Sequence, residues 1–134
     1  MAIAHESVRA HSCTFEVWDG DIDEEEVRAH ILRLAEDTEW PPGALNLVDL
    51  STVRHITIPD PELVAVLREG TILETELKTA LVVPEHFDAN APRYKEAADV
   101  TGVTTFADIR SASAHLGIPF EASVDVLDRL RRSL

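Results

Sequence analysis

The run LNLVDLSTVRHITIPDPELVAVL, Leu45 to Leu67, decides the fold of this chain. Leu45, Leu47, Val48 and Leu50 make a short, nearly all-apolar segment, the composition of a central strand covered on both faces. Asp49-Leu50-Ser51 opens a polar turn, and Asp60-Pro61 enters a helix. Proline is suited to that first helical position, where its missing N–H costs nothing. Leu63, Val66, Leu67 and Leu73 give the helix its buried side, and Gly70 weakens its far end. In open α/β sheets, binding and chemistry gather where strands end and helices begin, so this junction is the first place to look for function.

Outward from it, towards the N-terminus, Cys13 to Trp18 alternates with β-branched and aromatic residues and reads as a strand, with Ile3 to Ala10 a short partner before it. Gly20 breaks the chain. Asp23 is placed as a helix N-cap with Glu26 three residues on, and Ile22 and Val27 form the hydrophobic staple. Glu24, Glu25 and Glu26 stand in the first turn, where the helix dipole favours negative charge, and Val27, Ile31, Leu34 and Ala35 mark the apolar face. The acidic run thus has a structural origin; it lacks the spacing and glycine of a calcium loop. Trp40-Pro41-Pro42-Gly43 ends the unit.

Towards the C-terminus, Thr79 to Val83 is the next strand and stops at Pro84. A third helix spans Ala91 to Thr101, capped by Asn90 and ended by Gly102; Val103 to Phe106 is a short last strand. Asp108 caps a fourth helix with Ile109, Ala112 and Leu116 inward, ending at Gly117. After Pro119 a final amphipathic helix carries Phe120, Val124, Leu127, Leu130 and Leu134, with arginines in its last turn. Strands alternating with helices predict a single α/β domain: a mixed, mainly parallel sheet of four to five strands, about four helices and the C-terminal helix. Residues 1–117 form the domain, and 118–134 an extension packed on it or on a dimer partner.

The chain has 134 residues, 45% of them apolar, enough for a core without disulfides or metal. Cys13 is the single cysteine and reads as a buried small hydrophobe. No apolar run reaches the ~18 residues of a membrane span and no secretion signal is recognisable, which predicts a cytoplasmic protein. The net charge of −13 repels phosphate backbones and anionic lipid heads, which argues against nucleic acid and a membrane surface as partners; it serves solubility, or in the sharper reading steers a basic partner.

At Asp49-Leu50-Ser51 the chain resembles the STAS domains, the anti-sigma-factor antagonist-like proteins, with their SpoIIAA-like relatives. The order is alike: a buried strand ending in Asp-Leu-Ser, a helix, then a strand ending at Pro. Tyr94-Lys95-Glu96-Ala97-Ala98-Asp99-Val100-Thr101-Gly102-Val103, then Phe106-Ala107-Asp108-Ile109 and Ala114-His115-Leu116-Gly117, is similar to the end of such a domain. The resemblance covers Cys13 to Gly117 and implies a binding role: partner switching with an anti-sigma kinase, a regulatory module, or a small-ligand carrier. It also implies a phosphate-accepting Ser at the helix entry. This chain has Pro59-Asp60-Pro61-Glu62 there, which cannot carry that phosphate, while Ser51, Thr52 and Thr57 lie before the helix. Asp60 and Glu62 instead hold the helix start permanently negative.

No catalytic constellation stands out. Ser51, His55 and Asp60 have the residue types of a hydrolase triad, but the G-x-S-x-G elbow is missing, and Ser51 is expected to bond backbone in a turn. The six histidines show no i,i+4 pair and no Cys partner, which argues against zinc, and five glycines form no phosphate loop, so no cofactor is expected. The expectation is a non-enzymatic regulatory module that binds a protein, a kinase-like or other regulator, through Asp49, Ser51, Thr52, Asp60 and Glu62. The alternative is a carrier of a small hydrophobic molecule or lipid in a pocket between sheet and helices, closed by Phe87. Homodimerisation through the last helix is a side expectation, and an enzyme of unknown type the remote third.

Overall fold

The structure is a computed structural model that describes residues 2–36, 45–57, 78–83 and 104–134. Five strands form one sheet in the order β1 (Ile3–Val8), β2 (Cys13–Asp23), β3 (Leu45–Thr57), β4 (Lys78–Val82) and β5 (Thr104–Phe106). β1 runs antiparallel to β2, and every other neighbouring pair is parallel. Three α-helices lie among the described residues, α1 (Glu24–Glu36), α2 (Ile109–Leu116) and α3 (Phe120–Arg132), with a short 3-10 turn at Arg9–His11. This is the mixed, mainly parallel α/β sheet expected from the sequence. The helices expected after Asp60 and from Ala91, Trp40, and the loop carrying Phe87 lie outside the described residues.

The sheet is covered on both sides. Cys13, Phe15, Val17, Leu47, Ala80 and Val82 face α2 and α3, packing with Ala112, Leu116, Val126, Leu127 and Leu130. Ile3, Ile22, Val48, Leu50, Val53 and Val83 belong to a second core with Val27 of α1. Burial of each large apolar side chain contributes ~1.5–3 kcal/mol, so the interleaving of two apolar sets along β2 and β3 fixes which residue faces which layer.

The capping signals act as their spacing suggests. Glu26 N–H donates to Asp23 Oδ1 at 2.9 Å, starting α1, and Ile22 and Val27 are both buried in the same core. Asp108 Oδ1 accepts from Ser111 N–H at 2.7 Å, starting α2. Gly117, at φ 74°, ends α2: its N–H reaches Ala114 O, and Ile118 N–H reaches Ser113 O, the paired bonds of a Schellman turn. The α2–α3 crossing is pinned by Ser113 Oγ donating to Ser123 Oγ at 2.6 Å in the interior. The inward side of α3 is Ser123, Val126, Leu127 and Leu130, turned from the expected stripe so that Val124 is half-buried and Leu134 exposed.

Two expectations are corrected. Asp49-Leu50-Ser51 is not a turn: β3 continues to Thr57 beside β2, which itself runs through Gly20 to Asp23. The register shows how polar residues are accommodated. Val17 pairs with Asp49 but Asp19 with Thr52, and Gly20 pairs with Val53 but Asp21 with His55, so β3 carries an extra residue at each step. Such bulges bend a strand without ending it. Gly20 takes φ 74° at the second, a conformation that suits glycine. Thr52, Val53, Ile56 and Thr57 supply the β-branched residues, and Val53 and Ile22 keep the extension attached to the core.

Candidate functional site

The carboxyl end of the parallel strands carries an open depression of about 500 Å³. Ser51 of β3, Val82 of β4, the β5–α2 link (Ala107, Asp108), the first turn of α2 (Ile109, Arg110, Ser111) and Phe120 and Val124 of α3 line it. Three local causes place these groups. The first bulge leaves Ser51 exposed at the mouth; the Asp108 cap aims the start of α2 towards it; and Phe120 sits where α3 begins. Arg110 lies over the Phe120 ring, its guanidinium carbon 3.9 Å from the centroid. Asp108 is exposed, and its carboxyl is held below the usual range by the Ser111 hydrogen bonds, with a smaller contribution from Arg110.

Of the residues expected to bind, Ser51 and Thr52 are exposed on β3, and Ser51 alone reaches the depression. Thr52 Oγ1 donates to Trp18 O at 3.4 Å. Asp49, the register partner of Val82, is 0% exposed. Its Oδ1 accepts from Ser51 N–H at 2.9 Å, and its Oδ2 from Arg131 of α3 at 2.7 Å, so both oxygens are engaged inside the molecule. Ser51, expected to bond backbone in a turn, instead donates its own N–H to the Asp49 carboxylate within a bulged strand. Asp60, Glu62 and Phe87 lie outside the described residues. His55 is exposed on the β3 extension, opposite Asp21 in register, away from the depression-lining groups.

A second polar group is buried on the α1 face. Glu16 of β2, 2% exposed, accepts three hydrogen bonds: His30 Nε2 at 2.5 Å and Trp18 Nε1 at 3.2 Å on Oε1, and Asn46 Nδ2 at 2.7 Å on Oε2. The rings of Trp18 and His5 meet that of His30 edge-on, at 5.8 and 5.5 Å. Burial alone would push the Glu16 carboxyl up. The His30 ring beside it, and the bonds from His30, Asn46 and Trp18, outweigh that and hold it below the usual value. His30 Nδ1 and Asn46 Oδ1 are buried without a hydrogen-bond partner. Cys13 is buried, and desolvation pushes its thiol up to about 12, which removes it as a nucleophile near neutral pH. Among the described residues no three His, Cys, Asp or Glu side chains are arranged to hold a metal ion, and no helix is long and apolar enough to cross a membrane.

No protein-family model matches the sequence, and no curated protein matches it significantly. Among solved structures it is similar to an uncharacterized protein of the DUF3478 family from Shewanella loihica, described as having a SpoIIAA-like fold. The two share 17% identity, with a TM-score of 0.54 over 86% of this chain and 94% of that one. The fold is SpoIIAA-like.

A shared fold does not assign a role, so function has to be argued from the site. Two groups of residues carry no sequence signal strong enough to single them out. Arg110, Ser111, Phe120 and Val124 read only as parts of amphipathic helices; that they meet Ser51 follows from the packing of α2 and α3. Glu16 is different. It alternates with Phe15 and Val17 in a strand with a neighbour on each side, so its face had to be covered too, and a charged residue there needs partners. His30, one residue from Ile31 on the apolar side of α1, is the partner that this logic could have found.

Proposed function

We propose that this chain is a non-enzymatic regulatory module of STAS type that works by binding a protein partner at the carboxyl end of its parallel strands, around Ser51 and Thr52 and the Asp60–Glu62 segment. The observation that carries this reading is the SpoIIAA-like sheet with Ser51 and Thr52 exposed on β3 next to an Asp49 locked inward. Pro59-Asp60-Pro61-Glu62 stands where the family resemblance implies a phosphate-accepting serine, so the interaction is not switched by phosphate at that position. A net charge of −13 favours a basic partner surface and speeds its encounter. The test is affinity capture with the wild type and with the Asp60→Lys/Glu62→Lys double variant. Loss of the captured partner, with an unchanged melting curve, is expected; a variant that retains every native partner overturns the assignment.

The depression favours a second reading, a binder of small molecules. Its volume falls in the range of ligand pockets, roughly 300–1,000 Å³, and its walls combine apolar side chains with a few polar groups.

A further inference from the structure

We propose that the depression at the strand ends is a binding site for a small organic acid with an apolar body, its carboxylate meeting Arg110 and its hydrocarbon lying against Phe120, Val124 and Val82. This deepens the small-molecule reading and rests on it. The cation is the deciding feature. In a chain with 25 acidic and 12 basic residues, Arg110 makes no ion pair within 4 Å among the described residues, although four other arginines do. Its guanidinium is instead laid on the Phe120 ring at the wall of the depression. Stacking fixes the plane of the fork and leaves its edge donors to a planar, bidentate acceptor, which a carboxylate is.

The remaining lining groups fit the same ligand. Ser51, exposed on β3, offers a hydroxyl donor in the same depression, while Ser111 is engaged with Asp108 through both its N–H and its hydroxyl. Asp108 is the acid among the lining residues, and its Oδ1 is already occupied by the Ser111 N–H. A single cation with an acid next to it, on a chain of net charge −13, suits a monoanion and disfavours a dianion such as a phosphate monoester. Val82, Ile109, Phe120 and Val124 supply apolar wall for a short hydrocarbon.

The experiment is an amide-resolved NMR titration of the full chain with hexanoate, hexan-1-ol and inorganic phosphate, repeated on Arg110→Gln and Phe120→Leu. Hexanoate is expected to shift the amides of Ser51, Arg110, Ser111 and Val124 in a saturable way. It should bind about tenfold more tightly than hexan-1-ol, with phosphate leaving these amides unmoved. Arg110→Gln should lose that tenfold preference and keep hexan-1-ol binding; Phe120→Leu should weaken both. Hexan-1-ol binding as tightly as hexanoate, or hexanoate binding unchanged in Arg110→Gln, removes the acid and leaves a plain apolar pocket. Absence of any shift by either six-carbon probe up to about 10 mM, weaker than the range in which ligand recognition is usually met, overturns the small-molecule reading itself. Partner capture is read separately: a chain that binds hexanoate in this way and captures no protein keeps the acid site and loses the partner.

Discussion

Removing the Glu16 carboxylate strands three donors at once: the His30 ring, the Asn46 amide and the Trp18 indole, with His30 and Asn46 buried beside it. Leaving a buried donor unsatisfied typically costs ~1–3 kcal/mol, and here three donors lose their acceptor together, which sets a cost of ~3–5 kcal/mol. Glu16→Ala is expected to fall in that range in urea unfolding. Glu16→Gln, which keeps the volume and one acceptor, should cost less. The same carboxyl sets a pH dependence. Its folded pKa lies below the ordinary value of 4.5, so its contribution is fully present above 4.5 and is lost as pH falls through the lower, folded value. The melting temperature of the wild type should therefore drop below pH 4.5, and Glu16→Gln should flatten that drop. A wild type and variant falling in parallel would remove Glu16 as the cause. Asp49 shows why such residues escape sequence reading. It looks like a surface acid at a turn, and the partner that takes it inside, Arg131, is 82 residues away.

Elements are legible where their signals are local. The Asp108 cap, the Ala112 and Leu116 positions and the Gly117 stop describe α2 as it stands, because each acts within one turn of the helix. Gly117 holds φ 74° with open space where a Cβ would go, so Gly117→Ala meets only backbone strain. It is expected to destabilise by about 1 kcal/mol in the same urea assay, and a neutral result would mean the Schellman turn relaxes. The β3 extension was illegible for the opposite reason. Asp49, Ser51 and Thr52 have turn-forming chemistry, and their strand conformation comes from pairing with Asp19–Asp23 through two bulges. The last helix raises the same issue of distance. The half-buried Arg131 ties α3 to buried Asp49, and Leu127 and Leu130 lie in the core against β2. Arg131→Gln should cost ~2–3 kcal/mol and Asp49→Asn a similar amount, with the double variant well short of the sum. A double-mutant cycle gives the coupling directly, and additive costs would show that the pair holds nothing.

At the scale of the molecule, the alternation of strand and helix made the α/β sheet legible, while its two polar assemblies depend on which layers meet. Ser51, Arg110 and Phe120 belong to β3, α2 and α3, and Glu16, His30 and Asn46 to β2, α1 and β3, so neither group has a spacing to recognise. Charge, in contrast, is a property of the whole chain and can be tested as one. Twenty-five acids against twelve bases give −13, and self-repulsion opposes compaction. Exposed pairs such as Arg28–Glu24 and Arg54–Asp21 act in the opposite sense, but each is worth little in water. The buried pairs, Glu16–His30 and Asp49–Arg131, are largely shielded from salt. Raising NaCl from about 10 mM to about 150 mM shortens the screening length from ~30 to ~8 Å, so long-range repulsion across a chain of net charge −13 weakens more than short contacts such as Arg28–Glu24. The melting temperature at pH 7 is expected to rise across that range, with choline chloride giving the same curve and sucrose no comparable step. A fall with added salt would mean that surface ion pairs, and not the two cores and the buried pairs between layers, hold this acidic chain together.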